Sequence, residues 1–277
     1  MNPIKHAPPE SLNIDIQSSI ENIRSDKYIH IGFIGEHCPL AQEEAWRIHA
    51  EGYRVMNFIN DEAIDDNGFL DSSIDKTREL TGSEYHISVN PYNENDRATL
   101  RIVPPPGPFG DYTKLPAYEA TKNTLYPAGK QLLENLCYSG NVVKEISALA
   151  KTEKSSPLAI FELFREIIQD AQTKKEVWIF SMVNTTFNSL VKRMGESNLI
   201  VIGDDICMDD PRVNPEIKLR PVIFIPNLFY QNLMEDIRST KDDWSRKRLV
   251  SNLRFFAEGL QDANLSESIS TFLNNFD

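Results

Sequence analysis

Between residues 141 and 227 the apolar residues keep changing their spacing, and this alternation limits the folds open to the chain. Residues 141–150, NVVKEISALA, alternate as a strand does. SSPLAIFELFREIIQDAQTKK follows at helical spacing, with a serine at the cap and Pro157 in its first turn. EVWIFSMV, residues 176–183, is apolar on both faces and reads as a buried strand. NTTFNSLVKRMG reads as a second amphipathic helix, ended by Gly195. NLIVIGDDI and RPVIFIPN are two further strand-like runs. The order β-α-β-α-β-β predicts a compact α/β unit.

The flanking segments add to this unit. Residues 27–35 alternate and predict a strand. Pro39 opens a helical stretch running to Asn60, in which Ala45, Trp46, His49, Tyr53 and Met56 recur at helical spacing. That face should pack on a sheet. Residues 61–81 are acidic and turn-rich and read as a loop. Residues 84–91 and 98–106 predict a hairpin, with NENDR between them as its turn. A proline-rich connection follows, then a short helix in TLYPAGKQLLENL. The expected organisation is an arm over 1–28, a main α/β domain over 29–230 and a charged helical extension over 231–277.

Composition removes several function classes. No run approaches the roughly 18 consecutive apolar residues of a membrane helix. The first residues carry no apolar signal core, so a cytoplasmic location is expected. Cys38, Cys137 and Cys207 are far apart and form no C-x-x-C pair. A formal charge of −12 argues against nucleic acid as a partner. Residues 141–195 are the exception, with eight basic side chains against six acidic ones. That stretch either suits an anionic cofactor or an acidic carrier protein or is ordinary scatter of charge on solvated helix faces. His30, His37 and Cys38 fit no standard zinc spacing, and no metal is expected. The acidic cluster Asp204, Asp205, Asp209 and Asp210 lacks calcium-loop spacing. No G-x-S-x-G, P-loop or H-E-x-x-H is present.

Four local motifs carry a family resemblance. They are Tyr53-Arg54-Val55-Met56-Asn57-Phe58, Ala98-Thr99-Leu100-Arg101-Ile102-Val103-Pro104, Val142-Val143-Lys144-Glu145-Ile146-Ser147, and the helix, strand and helix that lead on to LIVIGDDI and LRPVIF. In this order the chain resembles the GNAT superfamily, and within it the acyl-homoserine-lactone (autoinducer) synthases and N-acyl amino acid synthases, over residues 40–227. Three departures stand out. Ala148 takes the arginine position of the family's E-x-x-R strand. The paired acidic motif has only Asp65, Asp66, Asp71 and Asp75 as candidates. KTEKSSPL replaces the glycine-rich pyrophosphate loop.

The resemblance implies a mixed, twisted sheet with helices on both faces, whose two central strands splay apart. It implies an acyltransferase that moves an acyl group from an acyl-CoA or acyl-ACP thioester to the amine of an amino acid or similar small acceptor. CoA or a carrier's phosphopantetheine would be a co-substrate rather than a resident cofactor. The pantetheine arm would run along the backbone at Ile146 and Leu149 as an added strand. Its phosphate end would meet the helix that starts at Ser155 and Ser156, where free N–H groups favour an anion; the same serines cap that helix. Glu145 would be the general base, acting through a water, or would form an ion pair with Arg54 or Arg101. Ser147 lies on the same side of the strand. Arg54 and Phe58, one turn apart, would line the acceptor or thioester pocket, or pack as arginine over core phenylalanine. Arg101 would bind a substrate carboxylate or pair with Glu145. Asn184 would bond to cofactor or acceptor, or cap a helix. A non-catalytic reading stands beside this one: a GNAT-like sensor of acyl thioesters or a scaffold for a partner protein.

Overall fold

The structure is a computed structural model that describes residues 28–78, 80–107 and 110–276. Apart from Tyr28, the expected arm over 1–28 lies outside the described residues. Fifteen elements follow one another: β1 Ile29–Ile34, α1 Pro39–Val55, β2 Glu84–Asn90, β3 Asn93–Val103, α2 Pro116–Thr121, α3 Pro127–Tyr138, β4 Val142–Lys151, α4 Pro157–Ala171, β5 Glu176–Val183, α5 Asn184–Met194, β6 Ile200–Val201, β7 Leu219–Phe224, α6 Phe229–Ser239, α7 Asp243–Ala257 and α8 Ala263–Leu273. The strands form one sheet in the order β1-β2-β3-β4-β5-β7-β6. Only β4 and β5 run parallel; every other neighbouring pair is antiparallel. This is the α/β unit that the alternation predicts, in the form the resemblance implies: a mixed sheet with helices on both faces. No described helix is long and apolar enough to cross a membrane.

Strand period sorts β5 between the two faces. Trp178, Phe180 and Met182 join Leu100 and Ile102 of β3 under α4 to α8. Val177 and Ile179 point the other way, towards Leu115, Leu125 and Leu133 from the α2–α3 region. The last helices share the first of these cores, since Leu253, Phe256, Ile269 and Phe272 pack in the same apolar cluster as Trp178.

Three local boundaries differ from the sequence expectation. The helix from Pro39 stops at Val55. Asn57 takes the left-handed conformation (φ 55°), and Asn57 and Phe58 N–H bond back to the carbonyls of Arg54 and Tyr53. That is a Schellman cap, and Phe58 then turns in against Tyr53, with ring centroids 4.6 Å apart. The hairpin turns at Pro91-Tyr92, because Asn90 Oδ1 accepts the Tyr92 N–H at 3.0 Å. NENDR is therefore strand, and its Asp96 is buried. A helix, α2, sits inside the proline-rich connection, started by Pro116 at its first turn.

The feature that shapes the site is a parting of two strands. β4 and β5 pair from Val142–Glu176 to Glu145–Ile179 and no further. β4 continues along β3 and β5 continues along β7. Ala148 has a φ of 53°, and the register against β3 slips by one residue there. Such a bulge bends its strand and turns β4 away from β5. Gly52 of α1 lies across the far end of β4, where an added Cβ would meet Lys151 O at 2.8 Å.

Candidate active site

Arg101 anchors the site. It alternates on β3 with Leu100 and Ile102, which face the apolar core, so its guanidinium enters the opposite face. The side chain is 0% exposed. A buried cation needs partners, and it has four. Nη2 bonds to Asp75 Oδ1 at 2.5 Å and also to Thr77 Oγ1. Nε donates to Ser147 Oγ at 3.0 Å, and Nη1 reaches Tyr85 OH at 3.4 Å. Asp75 is thus its counter-ion, in place of the Glu145 pairing expected from sequence. Burial raises the Asp75 pKa, but Arg101 and His49 more than offset this and hold it below the usual carboxylate range.

Glu145 stands beside this network without an ion pair of its own among the described residues. Its Oε2 accepts the Ala117 N–H at 2.8 Å, in the first turn of α2, where Leu115 supplies no side-chain cap. Burial pushes its pKa up to about 7; the Ala117 hydrogen bond and the Arg101 charge pull against that rise. A carboxyl poised near neutrality is suited to taking a proton and returning it.

Two residues of α1 complete the cluster. His49 is buried, and burial lowers its pKa below that of a free imidazole, against the pull of Asp75. Its Nδ1 lies 3.4 Å from Asp75 Oδ2, long for a hydrogen bond. Tyr53 meets the His49 ring edge-on at 4.2 Å. In sequence both belong to a packing face, because their spacing is that of a core stripe.

No family model matches the chain, and no curated protein matches it in sequence. Solved structures match it in fold. FeeM, an N-acyl amino acid synthase from uncultured soil microbes, superposes with a TM-score of 0.51 at 16% identity, over 74% of this chain and 94% of FeeM. This chain has the fold of FeeM. The CoA-dependent acyl-homoserine lactone synthase MesI gives a TM-score of 0.46 at 14% identity, over 85% and 97% of the two chains. The AHL synthase LasI gives 0.43 at 12%, over 73% and 92%. The FeeM superposition agrees with the fold that the four motifs imply.

The remaining candidates fall in three places. Ser147 is in the Arg101 network. Arg54 is exposed and lies 4.0 Å from Asp61, while Phe58 is buried among Ala50, Ile59 and Val213; the Schellman cap separates the two. Asn184 is the first residue of α5 rather than its cap and donates to Asp205 Oδ2 at 2.9 Å. Asp205 is held in turn by two bonds from Arg220. Ile146 and Leu149 turn their side chains into the apolar core, and β5 does not pair with β4 at either residue. Ser155 Oγ and Ser156 N–H both donate to Asp96 Oδ1, at 2.7 and 2.9 Å. The anion at the start of α4 is therefore the protein's own carboxylate. Of the acidic candidates, Asp65 pairs with Arg78 and Asp71 approaches Arg212 at 3.5 Å, so Asp75 alone reaches the network.

Proposed function

We propose that this chain is an acyltransferase that moves an acyl group from a pantetheine thioester to the amine of an amino acid or similar small acceptor. The observation that carries the reading is the parting of β4 and β5 directly beyond Glu145. An extended pantetheine arm can occupy the opening and use the β4 backbone from Ile146 onward as a strand partner. That places a thioester carbonyl near a buried carboxyl with a pKa of about 7. The likeness to FeeM supports the same chemistry.

In this reading the amine nitrogen attacks the thioester carbonyl carbon. A C–N bond forms, the C–S bond breaks, and the thiolate leaves. Glu145 takes the amine proton, directly or through one water, and returns it to the departing sulfur. Arg101 and Asp75 are positioning residues: they hold Ser147 and the β4 bulge in place. The test is thiol release from a panel of acyl-CoA and acyl-ACP thioesters with pooled amino acids as acceptors. Release should depend on the acceptor and fall at least about 10²-fold in Glu145→Gln. Thioester binding without release from any donor would favour the sensor reading instead.

A further inference from the structure

We propose that residues 207–218 form a lid over the parting of β4 and β5, latched by Arg212 to the segment that carries Asp75. This inference rests on the acyltransferase reading and adds to it the device that keeps water from the thioester.

The first observation is where the loop stands. Its ends are tied together, because Ile206 and Leu219 exchange both backbone hydrogen bonds at 2.8 Å. The residues between them form a compact loop closed at its base, a form common at functional sites. Leu219 is the cross-strand partner of Val183, the last residue of β5. The loop reaches from there to the residues that follow α1. Asn214 N–H donates to Phe58 O at 2.9 Å, Asn60 N–H to Arg212 O at 3.0 Å, and Asn214 Nδ2 to Asn57 O at 3.0 Å. α1 itself lies across the far end of β4 through Gly52. The contact therefore runs from the β5 side of the opening to the β4 side. Val213 of the loop is buried there with Phe58 and Ile74, and Val183 and Tyr53 pack against them.

The second observation is the latch. Arg212 Nε donates to Asp210 Oδ1 at 2.9 Å, within the loop. Its Nη2 donates to Ser73 Oγ at 2.6 Å, and its Nη1 stands 3.5 Å from Asp71 Oδ2. One guanidinium joins the loop to residues 71–73. Asp71 O accepts the Asp75 N–H at 2.9 Å, and Asp75 and Thr77 are partners of the buried Arg101. The latch is one turn of chain away from the carboxylate that holds the site's cation.

The third observation is that this clasp can open. The side chains of Arg212 and Asp71 are 24% and 41% exposed, so water can take over their bonds. Arg101 and Asp75 are buried and have no such exchange. The loop commits one fully buried apolar side chain, Val213, with Met208 and Ile217 part-buried. A lid that lifts about the Ile206–Leu219 pair gives substrates a way in. Clasped, it keeps bulk water from the thioester carbonyl, and the acceptor amine is the nucleophile that arrives. Released, it lets water attack that carbon: a C–O bond forms, the C–S bond breaks, and a water proton passes to the departing sulfur. The products are then the free acid and the free thiol. Arg212 is a positioning residue in this scheme.

The experiment compares wild type with Arg212→Ala and with Asp71→Asn, which removes the charge but can still cap Ser73. Thiol release from the panel of acyl thioesters is measured with and without the pooled amino acids. The proposal expects the ratio of acceptor-independent to acceptor-dependent release to rise about tenfold in Arg212→Ala, from the loss of charge-assisted bonds, and by a smaller factor in Asp71→Asn. Hydrogen exchange is read separately at the Asn60 and Asn214 amides, which bridge lid and α1, and at Ile206 and Leu219 in the base. Exchange at the bridging pair should quicken in both variants while the base pair keeps its wild-type rate. If Arg212→Ala does not fold, Asp71→Asn carries both readouts. If no protein turns over any thioester, the acyltransferase reading fails, and quickened exchange at the bridging pair alone still supports the latch. Unchanged exchange at Asn60 and Asn214, equal quickening at the base, or an unchanged release ratio in variants that turn over overturns the proposal.

Discussion

On one face of the sheet, Trp178, Phe180 and Met182 of β5 meet Leu100 and Ile102 of β3 in a continuous apolar layer covered by five helices. On the other face, one residue along from Leu100, Arg101 is equally buried but is held by Asp75, Thr77, Ser147 and Tyr85. The apolar layer depends on volume and tolerates exchange of one apolar shape for another. The polar cluster depends on completeness, since each buried charge is costly once its partner is gone. The second face is also where the strands part and where Glu145 keeps a neutral-range pKa. The first face supplies rigidity, and the second supplies chemistry.

The sharpest way to break this contrast is to remove one charge. Arg101→Ala should cost about 3–5 kcal/mol in denaturant unfolding, because Asp75 stays buried without its counter-ion. Leu163→Met in the apolar layer should cost less than about 1.5 kcal/mol. Arg101→Met combined with Asp75→Leu should recover much of the loss, and failure to recover would mean that the network contributes more than paired charges.

Glu145 offers a test of intermediate size. Its pKa rises from an ordinary 4.5 to about 7 on folding. Below 4.5 both states are protonated, so the group is neutral to stability there. As pH rises from 4.5 to 7 the unfolded state ionises first, and stability falls across that window. The loss, on the order of a few kcal/mol, is complete above pH 7. Glu145→Gln should flatten this slope and unfold at higher denaturant than wild type at pH 8. A substitution that merely removed the Ala117 cap would destabilise at every pH.

The smallest effect belongs to the bulge. Ala148 holds a left-handed conformation that costs a residue with a Cβ roughly 1 kcal/mol. Ala148→Gly should stabilise by about that much, and Ala148→Val should destabilise, in thermal melts. No change in either would mean that the strain is relieved elsewhere in β4.

The two faces also differ in how far they could be read in advance. β4, α4 and β5 announce themselves through period alone; the limits of both strands fall within a residue of expectation, while α4 ends at Ala171, four residues before the expected end. The resemblance placed Glu145, Ser147 and Arg101 in one site. It did not pair Arg101 correctly, because Asp75 is 26 residues upstream in a segment with no period. His49 and Tyr53 were hidden by the opposite problem: on α1 a site residue and a core residue share one spacing. Arg54 and Phe58 separated because the helix stops at Val55, and the signal was available in Asn57, a residue that tolerates the left-handed cap. Of the two serines read as a cap, Ser156 caps α4 and Ser155 does not; the carboxylate both serve comes from β3, which local sequence does not reveal.

The most direct test of the account is the pH dependence of kcat/KM for acceptor-dependent thiol release in wild type and Glu145→Gln. If Glu145 is the base, the wild-type rate rises with pH through an apparent pKa of about 7, and the variant loses both the rate and that inflection. A variant that keeps the wild-type profile would contradict the assignment and leave Glu145 as the cap of α2.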